Sequence, residues 1–389
     1  MVSFRVVAQL GNNVIRWASK MNPFARRLVT LAIEDDGMNL VVFRGNEIQT
    51  WNSLPLDTEV IKDSCIVNPI EFGRLIHNFM KQNGVNNKKV MCSISGYHSL
   101  ARIITLPKLS SSVIYEAISR EAARAMPTAT DASHIFWQVL SQTSNEQRFY
   151  VLATPKNNLD SVAKSLKIGR AIGGKVEIKP LALARVVKKQ QAIIIDIQKH
   201  SIDVIIVVQG VPAFFRMLNR DEQTSISTIC GGISRTIEFF NRSINQQPIK
   251  ADTPLFLTGP LSVGDADIKQ FAGTLNHPLE KLEVSLKYPA GFSLDKYAAN
   301  IGLALGVMAN KKSLLSIPFQ WVNINVLSAI YHPHRHLRRL SIAGVAAVLG
   351  LVSIIPLYNM SIQIAVAKDQ AQAQWYKLNQ EVVFKRIAK

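Results

Sequence analysis

Residues 192–218 read AIIIDIQKHSIDVIIVVQGVPAFFRML. β-Branched and aromatic residues dominate, and turn formers at Gln198-Lys199-His200 and Gln209-Gly210 divide the run into three short strands. A long helical stretch follows, EQTSISTICGGISRTIEFFNRSIN (222–245), and then a strand, PLFLTG (254–259). The same order stands earlier in the chain. RRLVTLAIEDDGMNLVVFRGNEIQTW (26–51) holds two strand-like runs with a hairpin signal at Asp36-Gly37. Asn68-Pro69 opens a helix that Gly84 closes. Two halves that each begin with a hairpin sheet and continue into helices predict a duplicated, two-lobed α/β fold with a cleft between the lobes.

Later in the first half, 88–109 is strand-rich and SSSVIYEAISREAARAM (110–126) is an amphipathic helix with serines available as N-cap. The strands HIFWQVL (134–140) and QRFYVLATP (147–155), another helix and the strand in GKVEIKP (174–180) complete the first half. The expected layout is a basic extension over 1–27, lobe 1 over 28–189 with a small inserted α+β subdomain at about 90–150, and lobe 2 over 190–312.

Composition excludes several classes. Of 389 residues, 48% are apolar and 19% charged, which rules out a disordered or collagenous chain. Forty-five Lys and Arg against 27 Asp and Glu give +18 and call for an anionic neighbour. Nucleic acid is not the expected one, because no aromatic-interleaved basic stripe or reading helix appears. Three separated cysteines fit a reducing compartment. No phosphate-loop, zinc-protease, EF-hand or nucleophile-elbow motif is present, and His332, His334 and His336, interrupted by Pro333, do not make a closed metal ligand set. No catalytic residues are expected.

From Leu340 to Tyr358 the chain runs LSIAGVAAVLGLVSIIPLY, with no charged, amide or histidine side chain. At the helical rise this covers roughly 28 Å, close to a bilayer's hydrocarbon thickness, and predicts one transmembrane helix. Arg335, Arg338 and Arg339 precede it in a basic linker, 313–339, so the N-terminal part is expected in the cytoplasm and the C-terminus outside. The basic 1–27 segment either lies on the same leaflet or is a frayed extension. Residues 359–389, rich in Gln, Ala and Lys, read as helical and stop without an obvious cap.

The order of segments resembles the PilM family, the actin-like, FtsA-related proteins of type IV pilus machines. The stretches that carry it are Leu106 to Pro127, Ile178 to Arg185, Ile194 to Arg216, Ile233 to Asn241 and Leu255 to Pro260, within residues 28–312. Val322-Asn323-Ile324-Asn325-Val326-Leu327, followed by basic residues and an apolar segment, resembles the start of PilN, and the layout as a whole resembles GspL. The resemblance implies an inner-membrane platform of type IV pilus or type II secretion machinery. In it Ile324 and Leu327 would fill apolar pockets on the actin-like domain, and Asn325 would satisfy polar groups there. PilN- or PilO-like inner-membrane proteins and a cytoplasmic motor are the implied partners, and the tail would be periplasmic.

The resemblance also implies ATP and Mg²⁺ in the cleft, and the loops depart from that pattern. Where D-I-G-x-x-x-x-K would stand, the chain has Ala32-Ile33-Glu34-Asp35-Asp36-Gly37-Met38-Asn39. Three carboxylates repel a polyphosphate, and no lysine is offered there. Asp196 is kept in the second loop, but Gln198 replaces glycine; in the third, Thr258-Gly259 is followed by Pro260, which lacks an N–H. Asp196, Gln198, Thr258 and Gly259 are thus expected to form a degenerate site on a scaffold. The alternative is a nucleotide-binding switch or ATPase that keeps ATP through Asp196 and Thr258.

Overall fold

The computed structural model describes residues 27–86, 89–110, 112–126, 132–171, 174–221, 223–243, 248–260, 271, 273–309, 321–327, 356 and 358–376. The chain forms two compact units, Met1–Ser328 and Ala329–Lys389.

In the first unit, β1 (Arg27–Ile33), β2 (Gly37–Arg44) and β3 (Glu47–Pro55) form an antiparallel meander. The third strand exceeds the sequence expectation. Gly45, at φ +62°, turns the chain after β2 into an edge strand whose Ile48 is buried while its neighbours are partly wet. After a small ribbon, β4 (Ile61–Lys62) with β5 (Cys65–Ile66), comes α1 (Pro69–Gln82). The Asn68 side chain accepts from the Glu71 N–H at 3.2 Å, Pro69 occupies the first turn, and Gly84 leaves the helix at φ +63°. Then β6 (Val90–Ile94) pairs in parallel with β1, and β10 (Val176–Ile178) in parallel with β6. The lobe 1 sheet therefore runs β10-β6-β1-β2-β3.

Lobe 2 repeats this order. Here β11 (Gln191–Ile197), β12 (Ser201–Val208) and β13 (Val211–Asn219) are the meander, and β14 (Leu255–Thr258) and β15 (Leu279–Glu280) add in parallel, giving β13-β12-β11-β14-β15. Long aliphatic runs such as Ile193 to Ile197 are buried because helices cover these strands. On lobe 2 the cover is α5 (Ile226–Ser243), whose Ile229, Ile233, Ile237 and Phe240 face the sheet at helical spacing.

The inserted subdomain consists of β7 (Leu100–Pro107), α2 (Ile114–Ala125), β8 (Ser133–Gln142) and β9 (Glu146–Pro155), with sheet order β7-β9-β8. Its core is Ile104, Ile118, Ala122, Phe149 and Val151. The expected serine cap of α2 is not formed. Val113 occupies the N-cap, and the Ser110 and Ser112 hydroxyls bond each other at 2.9 Å. The insert is anchored on lobe 2, where the Tyr150 hydroxyl donates to the Pro212 carbonyl at 3.0 Å and Arg148 donates to Gln209 Oε1 at 2.8 Å.

From β9 the chain passes through α3 (Lys156–Ile168) to β10 and directly into α4 (Lys179–Val187), a helix buried along its whole length. It crosses α6 (Ala298–Ala309) with backbones in contact; a Cβ on Gly302 would stand 2.0 Å from the Ala182 carbonyl oxygen. Buried Asn300 on α6 donates to the Thr30 and Asn39 carbonyls, stitching that helix to the lobe 1 sheet.

The expectation of a transmembrane helix is corrected, and with it the expected inner-membrane location. Among the described residues no helix is long and apolar enough to cross a membrane. Of 340–358 only Pro356 and Tyr358 are described. The helix over 358–376 carries Asn359, Gln363, Lys368 and Asp369 within its span, too polar a face for hydrocarbon. Arg335, Arg338, Arg339, the three neighbouring histidines and the basic residues of 1–26 lie outside the described residues.

Candidate functional site

Strand register builds the cleft. Asp196, near the end of β11, pairs across the antiparallel ladder with Asp203 of β12 and across the parallel ladder with Thr258 of β14. Side chains of directly paired residues share one face of a sheet, so three polar groups converge at one level. The Thr258 hydroxyl donates to Asp196 Oδ1 at 2.7 Å, and the Gln198 amide donates to Asp196 Oδ2 at 2.7 Å.

The centre of this cluster is a residue that the sequence reading passed over. Lys179, the first residue of α4, places Nζ 2.8 Å from Asp196 Oδ2, 2.8 Å from Asp203 Oδ2 and 3.0 Å from Glu34 Oε2. Its side chain is 3% exposed. Although burial disfavours its charge, Asp196, Asp203 and Glu34 hold the ammonium well above the ordinary lysine range. The carboxylates respond unequally. Burial pushes Glu34 up to about 7 and raises Asp203, with Lys179 opposing in both. For Asp196 burial is outweighed by Lys179 and by bonds from Lys179, Gln198 and Thr258, and its pKa falls. Asp35 crosses from the β1–β2 turn to lobe 2, accepting from the His200 N–H at 2.8 Å and the Ser201 hydroxyl at 2.9 Å.

These residues do not fit a nucleotide triphosphate. A phosphate cradle needs free backbone N–H groups, and four of those in the three loops are engaged within the chain. Glu34 N donates to Gly37 O, Gln198 N to Ser201 O, His200 N to Asp35, and Gly259 N to Asp295 O at 3.0 Å. Gly259 serves close packing at φ +108°, where a Cβ would stand 2.2 Å from the Ile197 carbonyl oxygen. Asp196, the residue that would hold a hydrated cation, already accepts from three side chains.

A second polar constellation lies on the edge of β10. Residues 321–327 run along it: the Val326 N–H donates to the Val176 carbonyl at 2.9 Å, while Asn325 Oδ1 accepts from the Val176 N–H at 3.1 Å and from the Leu327 N–H at 3.2 Å. Gln138 of β8 grips the other end, accepting from the Asn323 N–H at 2.6 Å and donating to the Trp321 carbonyl at 3.0 Å. Arg185 of α4 donates to the Val322 carbonyl at 3.0 Å, donates to the Gly302 carbonyl, and pairs with buried Glu177. Lys175 contacts both Glu177 and the Asn323 side chain. Val322, Ile324, Val326 and Leu327 are buried. Burial of each such side chain is worth about 1.5–3 kcal/mol.

Of the residues singled out from sequence, the structure therefore gathers Asp196, Gln198, Thr258 and Gly259 at the cleft and Ile324, Asn325 and Leu327 at the β10 edge. Sequence reasoning missed Lys179, Asp203, Gln138, Glu177 and Arg185. The available signals were charges set inside apolar runs, Asp203 in IDVIIVV and Glu177 with Lys179 in VEIKP.

Duplicated five-stranded sheets around a cleft, with a three-stranded insert, define a two-lobed actin-like α/β fold. A chain of the PilM-PilN type IV pilus biogenesis complex shares it, with TM-score 0.60 and 16% identity over 72% of this chain and 98% of that one. Cyto-EpsL, the cytoplasmic domain of EpsL, an inner membrane component of the type II secretion system of Vibrio cholerae, aligns with TM-score 0.43 and 11% identity over 78% and 98% of the two chains. The ethanolamine utilization protein EutJ from Carboxydothermus hydrogenoformans aligns with TM-score 0.44 and 10% identity over 72% and 89%. At 16% identity the likeness to the PilM-PilN complex chain shows the fold alone. No protein-family model and no curated protein matches the sequence.

Proposed function

We propose that this chain is a structural and interaction component of type IV pilus or related type II secretion machinery. Its actin-like domain holds the chain's own 321–327 segment in cis and relays contacts between PilN- or PilO-like inner-membrane proteins and a cytoplasmic motor. One observation carries the reading. Asn325 accepts two backbone N–H groups, one from the β10 edge and one from its own segment, while four aliphatic neighbours are buried beside it. A segment read through main-chain bonds and alternating pockets is the physics of strand addition to a sheet edge. Tethering within one chain gives the segment a high effective concentration at that edge.

The nucleotide-switch alternative is the weaker one, because Asp196 and the N–H groups of Glu34, Gln198, His200 and Gly259 are already committed. The test is genetic. Cells of the source organism lacking this chain are expected to lose surface pili or type II secretion, with recovery by the wild-type chain and not by Ile324→Asp/Asn325→Ala. Unchanged piliation and secretion in the deletion strain would overturn the assignment to this machinery.

A further inference from the structure

We propose that Lys179 is a built-in replacement for the bound cation and nucleotide of this fold: a latch that closes the cleft with a side chain of the chain itself. The ammonium is held by carboxylates of both lobes, Glu34 at the end of β1 and Asp196 and Asp203 on β11 and β12. An exchangeable ligand in that place would come and go; a covalently attached amine cannot. The lobes are thereby fixed in one closed arrangement, with Asp35 bridging to His200 and Ser201 as a second cross-lobe tie. The four charged side chains of this cluster are buried, none more than 7% exposed.

The latch is continuous with the β10 edge. Lys175, Val176 and Glu177 contact the 321–327 segment or the charges that hold it, Lys179 enters the cleft, and Arg185 returns to the Val322 carbonyl. Closure of the cleft and the shape of that edge are consequently set by a single stretch, 175–185. This inference concerns the cleft and holds whether or not the chain serves a pilus or secretion machine.

The experiment combines hydrogen exchange on the full chain with calorimetry against Mg·ATP. The wild type is expected to give no binding heat at about millimolar nucleotide, a concentration at which even a weak site with millimolar Kd would be half filled. Its His200 amide, bonded across the cleft, is expected to be protected. In Lys179→Met three carboxylates face one another unpaired, so His200 exchange should accelerate by about tenfold or more. Exchange at Ile193, whose N–H bonds Pro254 within lobe 2 at 2.9 Å, should stay slow. The triple variant Lys179→Met/Glu34→Gln/Asp203→Asn removes the repulsion and should fold, with His200 exchange still faster than in the wild type because no cation ties the lobes. Mg·ATP binding by the wild type would overturn the proposal. So would unchanged His200 exchange in Lys179→Met. Should Lys179→Met fail to fold, the triple variant decides: faster His200 exchange than in the wild type supports the latch, and wild-type protection overturns it.

Discussion

Glu34 shows how one buried carboxyl makes the cleft sensitive to pH. Burial holds its folded-state pKa at about 7, against 4.5 for an ordinary glutamate. A raised carboxyl pKa means that the folded state keeps its proton longer than the unfolded state. Below about pH 4.5 both states are protonated and Glu34 imposes no penalty; between there and pH 7 the penalty grows, and above pH 7 it is constant. At roughly 1.4 kcal/mol per pKa unit, the full penalty is about 3 kcal/mol. Glu34→Gln is therefore expected to gain on the wild type by about that amount between pH 4.5 and pH 8 in urea unfolding. A pH-independent difference between the two proteins would show that Glu34 is not the titrating group. Asp196 was legible from sequence as a strand-end carboxylate, but its partner was not. Lys179 lies 17 residues upstream, beyond a buried helix, and only the packing of α4 between the lobes brings its amine to 2.8 Å.

At the scale of elements, main-chain contacts dominate. On the β10 edge, Asn325→Ala removes the acceptor of two N–H groups while leaving the aliphatic neighbours in place. A lost acceptor of this kind costs about 1–3 kcal/mol. Faster hydrogen exchange is expected at Val176 and Leu327, with the lobe cores unchanged; unaltered protection at both amides would rule out the anchoring role of Asn325. At the crossing of α4 and α6, Gly302→Ala puts a Cβ 2.0 Å from the Ala182 carbonyl oxygen. The helices must separate, and a cost of about 1–3 kcal/mol is expected by the usual measure of overpacking. Thermal unfolding near the wild-type midpoint would refute that contact. The meanders β1–β3 and β11–β13 could be read from alternation, turn residues and β-branched runs, as could α1 from its Asn-Pro start. The α2 cap was misread because Ser110 and Ser112 satisfy each other, a local choice that the spacing of serines does not encode.

Across the whole first unit, the inserted sheet and lobe 2 are tied by the Tyr150–Pro212 and Arg148–Gln209 hydrogen bonds and are expected to unfold as one body. Tyr150→Phe removes only the hydroxyl that reaches the Pro212 carbonyl. Stability of that unit is expected to fall by about 1–2 kcal/mol in a single transition; a second, earlier transition would mean that the insert unfolds independently. The duplicated strand order and the two lobes followed from the sequence itself, because hydrophobic period and turn chemistry are local properties. Val322 to Leu327 was singled out by a resemblance, and only the fold shows that it lies along the β10 edge. The apolar composition of 340–358 pointed to a membrane span, yet no described helix is long and apolar enough to make one. What only the tertiary structure decided is charge pairing. Lys179 among three carboxylates and Arg185 against Glu177 and the Val322 carbonyl join residues far apart in the chain. Burial makes such pairs obligatory, since an ion left without a partner in the interior costs several kcal/mol, and the fold had to bring the partners together before either charge could be kept.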